Sequence, residues 1–161
     1  MTKALAIRDA RTGDEETILE FLRAFAEFEK LAHTFHLTKE IVARDFLGPR
    51  ARVYCDLAEW EGKAAAIAIW FRTYGTFAAA PIVHLEDIYV APEFRRRGIA
   101  TALIKHLARR ASDENALRLE WTVLNWNTGA IDFYSRIGAR LESEWRIGRL
   151  SGDPLADMAK S

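Results

Sequence analysis

The first third of the chain alternates apolar and polar residues at helical spacing. Ile18, Phe21, Leu22, Phe25 and Phe28 fall three and four residues apart, which predicts an amphipathic helix running to about Lys30. Ahead of it stand a short strand candidate, Leu5-Ala6-Ile7-Arg8, and Thr12-Gly13-Asp14-Glu15, which has the form of a capping box. A second helix is expected from Thr38, with Ile41, Val42 and Phe46 on one side, until Gly48-Pro49 stops it. The pattern then changes period. Val53 to Trp60 and Ala64 to Tyr74 are rich in β-formers and flank Glu61-Gly62-Lys63, read as a three-residue hairpin connection. Gly75 marks a further reversal and Ile82 to Val90 reads as the next strand, so three strands follow one another as a meander.

Helical spacing returns with Ile99, Leu103, Leu107 and Ala111, whose opposite face carries Lys105, Arg109 and Arg110. Leu117, Leu119, Trp121 and Val123 alternate with Arg118, Glu120 and Thr122, a period-two strand after the helix, and strand-helix-strand implies a parallel crossover. Asn127 heads a short helix with Ala130, Ile131, Tyr134 and Ile137 on its apolar side and Gly138 at its end. Trp145 to Leu150 is a last strand candidate, before a short terminal helix. The expected fold is mixed α/β: a central mixed sheet of six or seven strands, antiparallel meander first and parallel crossover later, with helices on both faces, in one domain spanning residues 1–161.

Composition narrows the function classes. Half of the 161 residues are hydrophobic, enough for one sizeable core, and 23 basic residues balance 23 acidic ones, which argues against a nucleic-acid coat or a membrane-surface binder. The single cysteine, Cys55, lies in an apolar run, so a disulfide framework is impossible within the chain, and a cytoplasmic setting is expected. His33 and His36 have no spacing to further ligands and read as exposed loop residues; no metal site is expected. No run reaches the roughly 18 apolar residues of a membrane span.

Chemistry concentrates in Leu85 to Thr101. A strand, a Pro92 turn and then Arg95-Arg96-Arg97-Gly98 opening a helix bring backbone N–H donors and a positive dipole end together, a layout that suits a diphosphate. The loop has neither the Gly-Lys-Ser/Thr of a Walker sequence nor the glycine spacing of a dinucleotide fingerprint. Taken alone, the arginine run also admits a basic surface or a nucleic-acid patch. Glu86 and Asp87 are consecutive on a strand, so their side chains are expected on opposite faces.

The segment Arg95-x-x-Gly98-x-Ala100, with Tyr89-Val90-x-Pro92 before it and Asn127-x-x-Ala130-x-x-Phe133-Tyr134-x-x-x-Gly138-Ala139 downstream, resembles the signature of the GNAT acyltransferase superfamily. Within it the chain is similar to diamine (spermidine/spermine-type) and thialysine N-acetyltransferases nearly end to end, through Ala26-Glu27-Phe28-Glu29-Lys30-Leu31, Leu85 to Val90, Val123 to Asn127 and Glu144-Trp145. Arg96 and Ala100 stand where that family usually has glycines; Arg96 matters only if its position needs positive φ.

The resemblance implies direct transfer of the acetyl group of acetyl-CoA to a small cationic amine. Ile88, Tyr89 and Val90 would hold the pantetheine beside the strand near Trp121 to Val123. Arg95, Arg96, Arg97, Gly98, Ile99, Ala100 and Thr101 would hold the pyrophosphate, with Asn127 and Ala130 also facing the cofactor. Tyr134 is the implied acid for the thiolate and Glu86 the base for the ammonium, with Glu29, Asp87, Glu120, Trp121 and Trp145 as candidate amine contacts. It further implies a homodimer with C-terminal strands at the interface. The alternatives are another amine, such as a protein N-terminus or an aminoglycoside, a non-catalytic acyl-CoA sensor, and, last, a nucleic-acid binder.

Overall fold

Five strands build one sheet in the order of the sequence: β1 (Leu5–Asp9), β2 (Tyr54–Trp60), β3 (Lys63–Gly75), β4 (Ala80–Val90) and β5 (Leu119–Trp121). The structure, a computed structural model, describes residues 4–160. The first four strands pair antiparallel, and β5 joins β4 in parallel after the crossover through helix α3 (Ile99–Asp113). The meander-then-crossover order matches expectation; the number of strands among the described residues is five, not six or seven. The β2–β3 hairpin is tighter than the three-residue reading. Trp60 pairs with Lys63, so Glu61 and Gly62 alone make the turn, at φ 50° and 80°, and two left-handed residues are what a primed two-residue turn requires.

Register sorts the side chains onto two faces. Cys55, Leu57, Ile67 and Ile69 form a core with Ile18, Leu19 and Leu22 of α1 (Glu15–Phe28) and Val42 of α2 (Lys39–Asp45). Fully burying an Ile or Leu of this kind is worth about 1.5–3 kcal/mol. Tyr89 pairs with Ile67, and its ring meets Phe21 and Phe25 of α1 on that same face. The other face carries Trp70 and is met by α3, whose Arg110 guanidinium lies 4.7 Å from the Trp70 ring.

The start of α1 departs from the capping-box reading. Its N-cap is Asp14, whose carboxylate is taken by Arg8 at 2.7 and 2.9 Å and by the Arg11 N–H; Glu15, meant for the reciprocal bond, accepts instead from the Gly13 N–H at 2.9 Å. An ion pair to the neighbouring strand outcompetes the local cap.

The chain forms two compact units, Met1–Thr122 and Val123–Ser161. In the second, α4 (Thr128–Arg136) is capped by the Asn127 side chain, which accepts from the Ala130 N–H at 3.2 Å, and ends at Gly138 with φ 87°. Helix α5 (Gly152–Met158) closes the unit. Trp145 to Leu150 form no strand: Trp145 is 82% exposed, Ile147 and Leu150 are also exposed, and no strand among the described residues pairs with them. A β-rich run without a neighbour has nothing to satisfy its backbone ladder. No helix among the described residues is long and apolar enough to cross a membrane.

Candidate active site

The site grows from a discontinuity in β4. Ile69 of β3 pairs with Asp87 and Trp70 with Leu85, so Glu86 is an extra residue, bulged out of the ladder. The bulge switches faces: Leu85 goes with Trp70, while Asp87 turns to the side of Ile69 and α1. It also coincides with the end of the parallel pairing, because β5 follows β4 only from Val83 to Leu85 and stops at Trp121. From Glu86 to Val90 the outer edge of β4 has no strand beside it among the described residues, which leaves that edge open to a ligand apart from the Val90 carbonyl, held by Arg95.

Carboxylates collect at that point. Glu86 is half-exposed, whereas Asp87 is pushed up to about 7, first by burial and then by the charges of Glu86 and Glu29. Burial also raises Glu29, which sits at the C-terminal end of α1, where the helix dipole disfavours an anion. On β5, Glu120 is level with His84 in the parallel register. The imidazole lies between two acids, its Nε2 3.4 Å from Glu86 Oε2 and its Nδ1 3.6 Å from Glu120 Oε1.

Beyond β4, the chain makes a 3₁₀ turn, Pro92–Phe94, and enters α3 through two left-handed residues, Arg96 at φ 61° and Gly98 at φ 75°. Gly98 is the N-cap and offers no side-chain bond, and the amides of Arg96 to Thr101 donate to no backbone carbonyl among the described residues. They form a concave set of donors at the positive end of a fifteen-residue helix, suited to an anionic group. The arginines are partly committed elsewhere. Arg95 donates to the Val90 carbonyl at 3.1 Å and lies over Phe28 and Tyr89, and Arg97 lies over Trp60 and Phe94.

A family model, Acetyltransferase (GNAT) family, matches residues 16–139, which take in this strand, the loop and α4. The chain belongs to the GNAT acetyltransferase family. Thialysine N-epsilon-acetyltransferase of Sus scrofa is 33% identical over 97% of this chain and 98% of its own length. Spermidine/spermine N(1)-acetyltransferase-like protein 1 of Homo sapiens is 30% identical over 95% of this chain, which spans 23% of that longer protein. Among solved structures, an integron cassette protein from the mobile metagenome of V. cholerae superposes with a TM-score of 0.79 at 24% identity, covering 99% of both chains, a likeness of fold. This acetyltransferase is therefore an acyl-transferring enzyme, of a family that uses acetyl-CoA.

Within the first unit of the acetyltransferase, Glu29, Glu86, Asp87 and Glu120 gather around the β4 bulge and the end of β5, and half-buried Trp121 is the last residue of β5. In the second unit, Tyr134 is 6% exposed, with Phe133 5.3 Å from it, and Asn127 and Ala130 are joined by the cap of α4. Trp145 has no regular element to hold it. Sequence reasoning missed His84: its partner across the sheet depends on parallel register, and nothing in the spacing of residues 84 and 120 announces it. It also missed Asp56, 1% exposed, whose carboxylate meets Arg110 at 3.3 Å while Arg110 also holds Asp9 at 2.8 Å. Ligand atoms of Asp9, Asp56 and His106 lie within 4.8 Å of one another, with the Arg110 guanidinium already beside both carboxylates.

Proposed function

We propose that this enzyme transfers the acetyl group of acetyl-CoA directly to the primary amine of a small cationic substrate, of the thialysine or polyamine kind. The observation that carries the reading is the acidic set at the β4 bulge, where Asp87 is raised to about 7 first by burial and then by the charges of Glu86 and Glu29: a carboxyl so placed gains from an arriving ammonium. The full-length similarity to a thialysine acetyltransferase supports the same substrate class.

In this reading the free edge from Ile88 to Val90 binds the pantetheine by backbone bonds, and the amides of Arg96 to Thr101 bind the pyrophosphate. N–H groups at the bulge polarise the thioester carbonyl and hold the oxyanion. Glu29, Asp87 and Glu120 draw the cation, with the Trp121 ring beside it. An alkylammonium with a pKa near ~10 must lose a proton before it attacks, and Glu86, exposed in the bulge, accepts it. The departing thiolate is protonated by Tyr134, a role carried over from the family; its helix is fixed at both ends. Asn127 and Ala130 complete the cofactor contacts.

The decisive experiment is release of CoA from acetyl-CoA in the presence of thialysine, lysine, ornithine, spermidine and spermine. Turnover with at least one is expected, and none with any amine sinks the proposal. Acetyl-CoA binding that stabilises the protein without turnover would point to a sensor instead. A homodimer is supported by the exposed Trp145, Ile147, Leu150 and Leu155, and light scattering at a monomer mass would refute it. A cytoplasmic setting follows from the lone thiol, and cell fractionation checks it.

A further inference from the structure

The imidazole of His84 has three neighbours that fix it. Its ring stacks on Phe71 of β3 at 4.9 Å and 28°, which sets its plane. Its two nitrogens lie near different acids, Nε2 3.4 Å from Glu86 Oε2 and Nδ1 3.6 Å from Glu120 Oε1. Glu120 is itself held, since Arg118 donates from Nε to Oε2 at 2.6 Å and leaves Oε1 for the ring. The charged groups around the imidazole are thus Glu86 and, beyond it, Asp87 on β4, and Glu120 with Arg118 on β5, while β3 contributes the apolar Phe71. The His84 side chain is 19% exposed. A base oriented by a carboxylate on one nitrogen and facing a reacting acid on the other is an arrangement able to move protons.

We propose that His84 is a positioning and proton-relay residue, which takes the amine's proton from Glu86 and passes it to solvent while Glu120 orients the ring and stabilises its cation. The inference rests on the amine acetyltransferase reading above and assigns it a residue which that reading leaves idle. Glu86 stands in the bulge, and His84 is its polar neighbour on the same strand, so a proton taken up by Glu86 has the imidazole as its next acceptor. The proton balance is closed. The ammonium N–H bond breaks as Glu86 gains an O–H; that proton then forms an N–H bond at Nε2, giving an imidazolium between Glu86 and Glu120. Loss of one N–H proton to water restores the neutral ring and an ionised Glu86 for the next amine.

The test compares wild type with His84→Gln and His84→Asn across pH, using an amine that the wild type acetylates. Both amides retain hydrogen bonding and lose the titrating charge. The expected result is a fall in kcat of about tenfold or more, with the amine KM within about threefold and the thermal midpoint kept. The pH profile should change shape, and His84→Ala should regain rate with added imidazole. Wild-type kcat and an unaltered pH profile in both amide variants overturn the relay. As a check independent of His84 variants, Glu120→Gln, which takes the second carboxylate from the ring, should lower kcat as well, and an unchanged kcat also counts against the relay. Failure of the wild type to acetylate any amine overturns the parent reading and the relay together, whereas an active wild type with indifferent His84 variants overturns the relay alone.

Discussion

Asp56→Asn should stabilise the protein, and increasingly so as pH rises. Asp56 is 1% exposed, and its Oδ2 is without a hydrogen-bond partner among the described residues. Burial is the largest influence on it and outweighs the opposing attraction of Arg110; Asp9 adds repulsion, and the carboxyl is pushed up from 3.8 to about 7. A carboxyl raised in the folded state is bound to its proton more tightly there than in the unfolded chain. Its contribution to stability is therefore complete below about pH 4 and is lost as pH climbs through 7. At about 1.4 kcal/mol for each tenfold, the rise corresponds to about 4 kcal/mol of lost stability by pH 8, and relaxation of the site can reduce this to about 2. Asparagine has the same shape as the protonated acid and does not ionise. Wild type and Asp56→Asn should accordingly unfold at similar urea concentrations near pH 3.5 and separate by about 1–2 M at pH 8, given a slope of about 2 kcal/mol per M for a chain of this size. Parallel curves, separated by less than about 0.3 M at every pH, would refute the account and mean that Arg110 fully compensates the buried charge.

Three further outcomes are expected. Arg96 holds φ 61° with a side chain, so Arg96→Gly relieves about 1 kcal/mol of left-handed strain against somewhat less in added unfolded-state freedom; a thermal midpoint equal to or a degree or two above wild type, with acetyl-CoA affinity within about threefold, is expected, and a tenfold weaker affinity would show that the side chain, not the amides, holds the ligand. Asp87, raised to about 7, is half-protonated near neutral pH and must ionise to meet a cation, so the amine KM should fall as pH rises through 7; Asp87→Asn should raise KM and flatten that dependence while changing kcat less, and a KM independent of pH in wild type would contradict the assignment. Tyr134→Phe should lower kcat by about 10²-fold or more with acetyl-CoA affinity nearly kept, and an unchanged rate removes Tyr134 as the acid.

Elements with a strong period were legible in the sequence. The stripe Ile18 to Phe28, the meander and the helix after Gly98 all form where their spacing places them, because one face of each is buried against the next. Features that depend on pairing were not. The bulge at Glu86 is a register event between β3 and β4; in a lone sequence Leu85, Glu86 and Asp87 simply alternate. The period-two reading puts Glu86 and Asp87 on opposite faces, and the bulge breaks that alternation: both oppose Ile69, and Glu86 reaches His84, the partner of Phe71, at 3.4 Å. Trp145 to Leu150 has the composition of a strand and no partner, and composition alone does not supply one. At Arg96 the sequence posed the question of positive φ, and only the backbone could answer it.

Cys55 has a practical consequence. It is the chain's single thiol, 4% exposed, and burial together with the neighbouring Asp56 raises it far beyond its ordinary range, so in the folded state it is almost never the reactive thiolate. A colorimetric thiol reagent added to a working reaction will therefore count released CoA with almost no background from the protein. The same reagent added without substrate becomes a clock for opening of the β2 core, since the residue reacts only when that core comes apart.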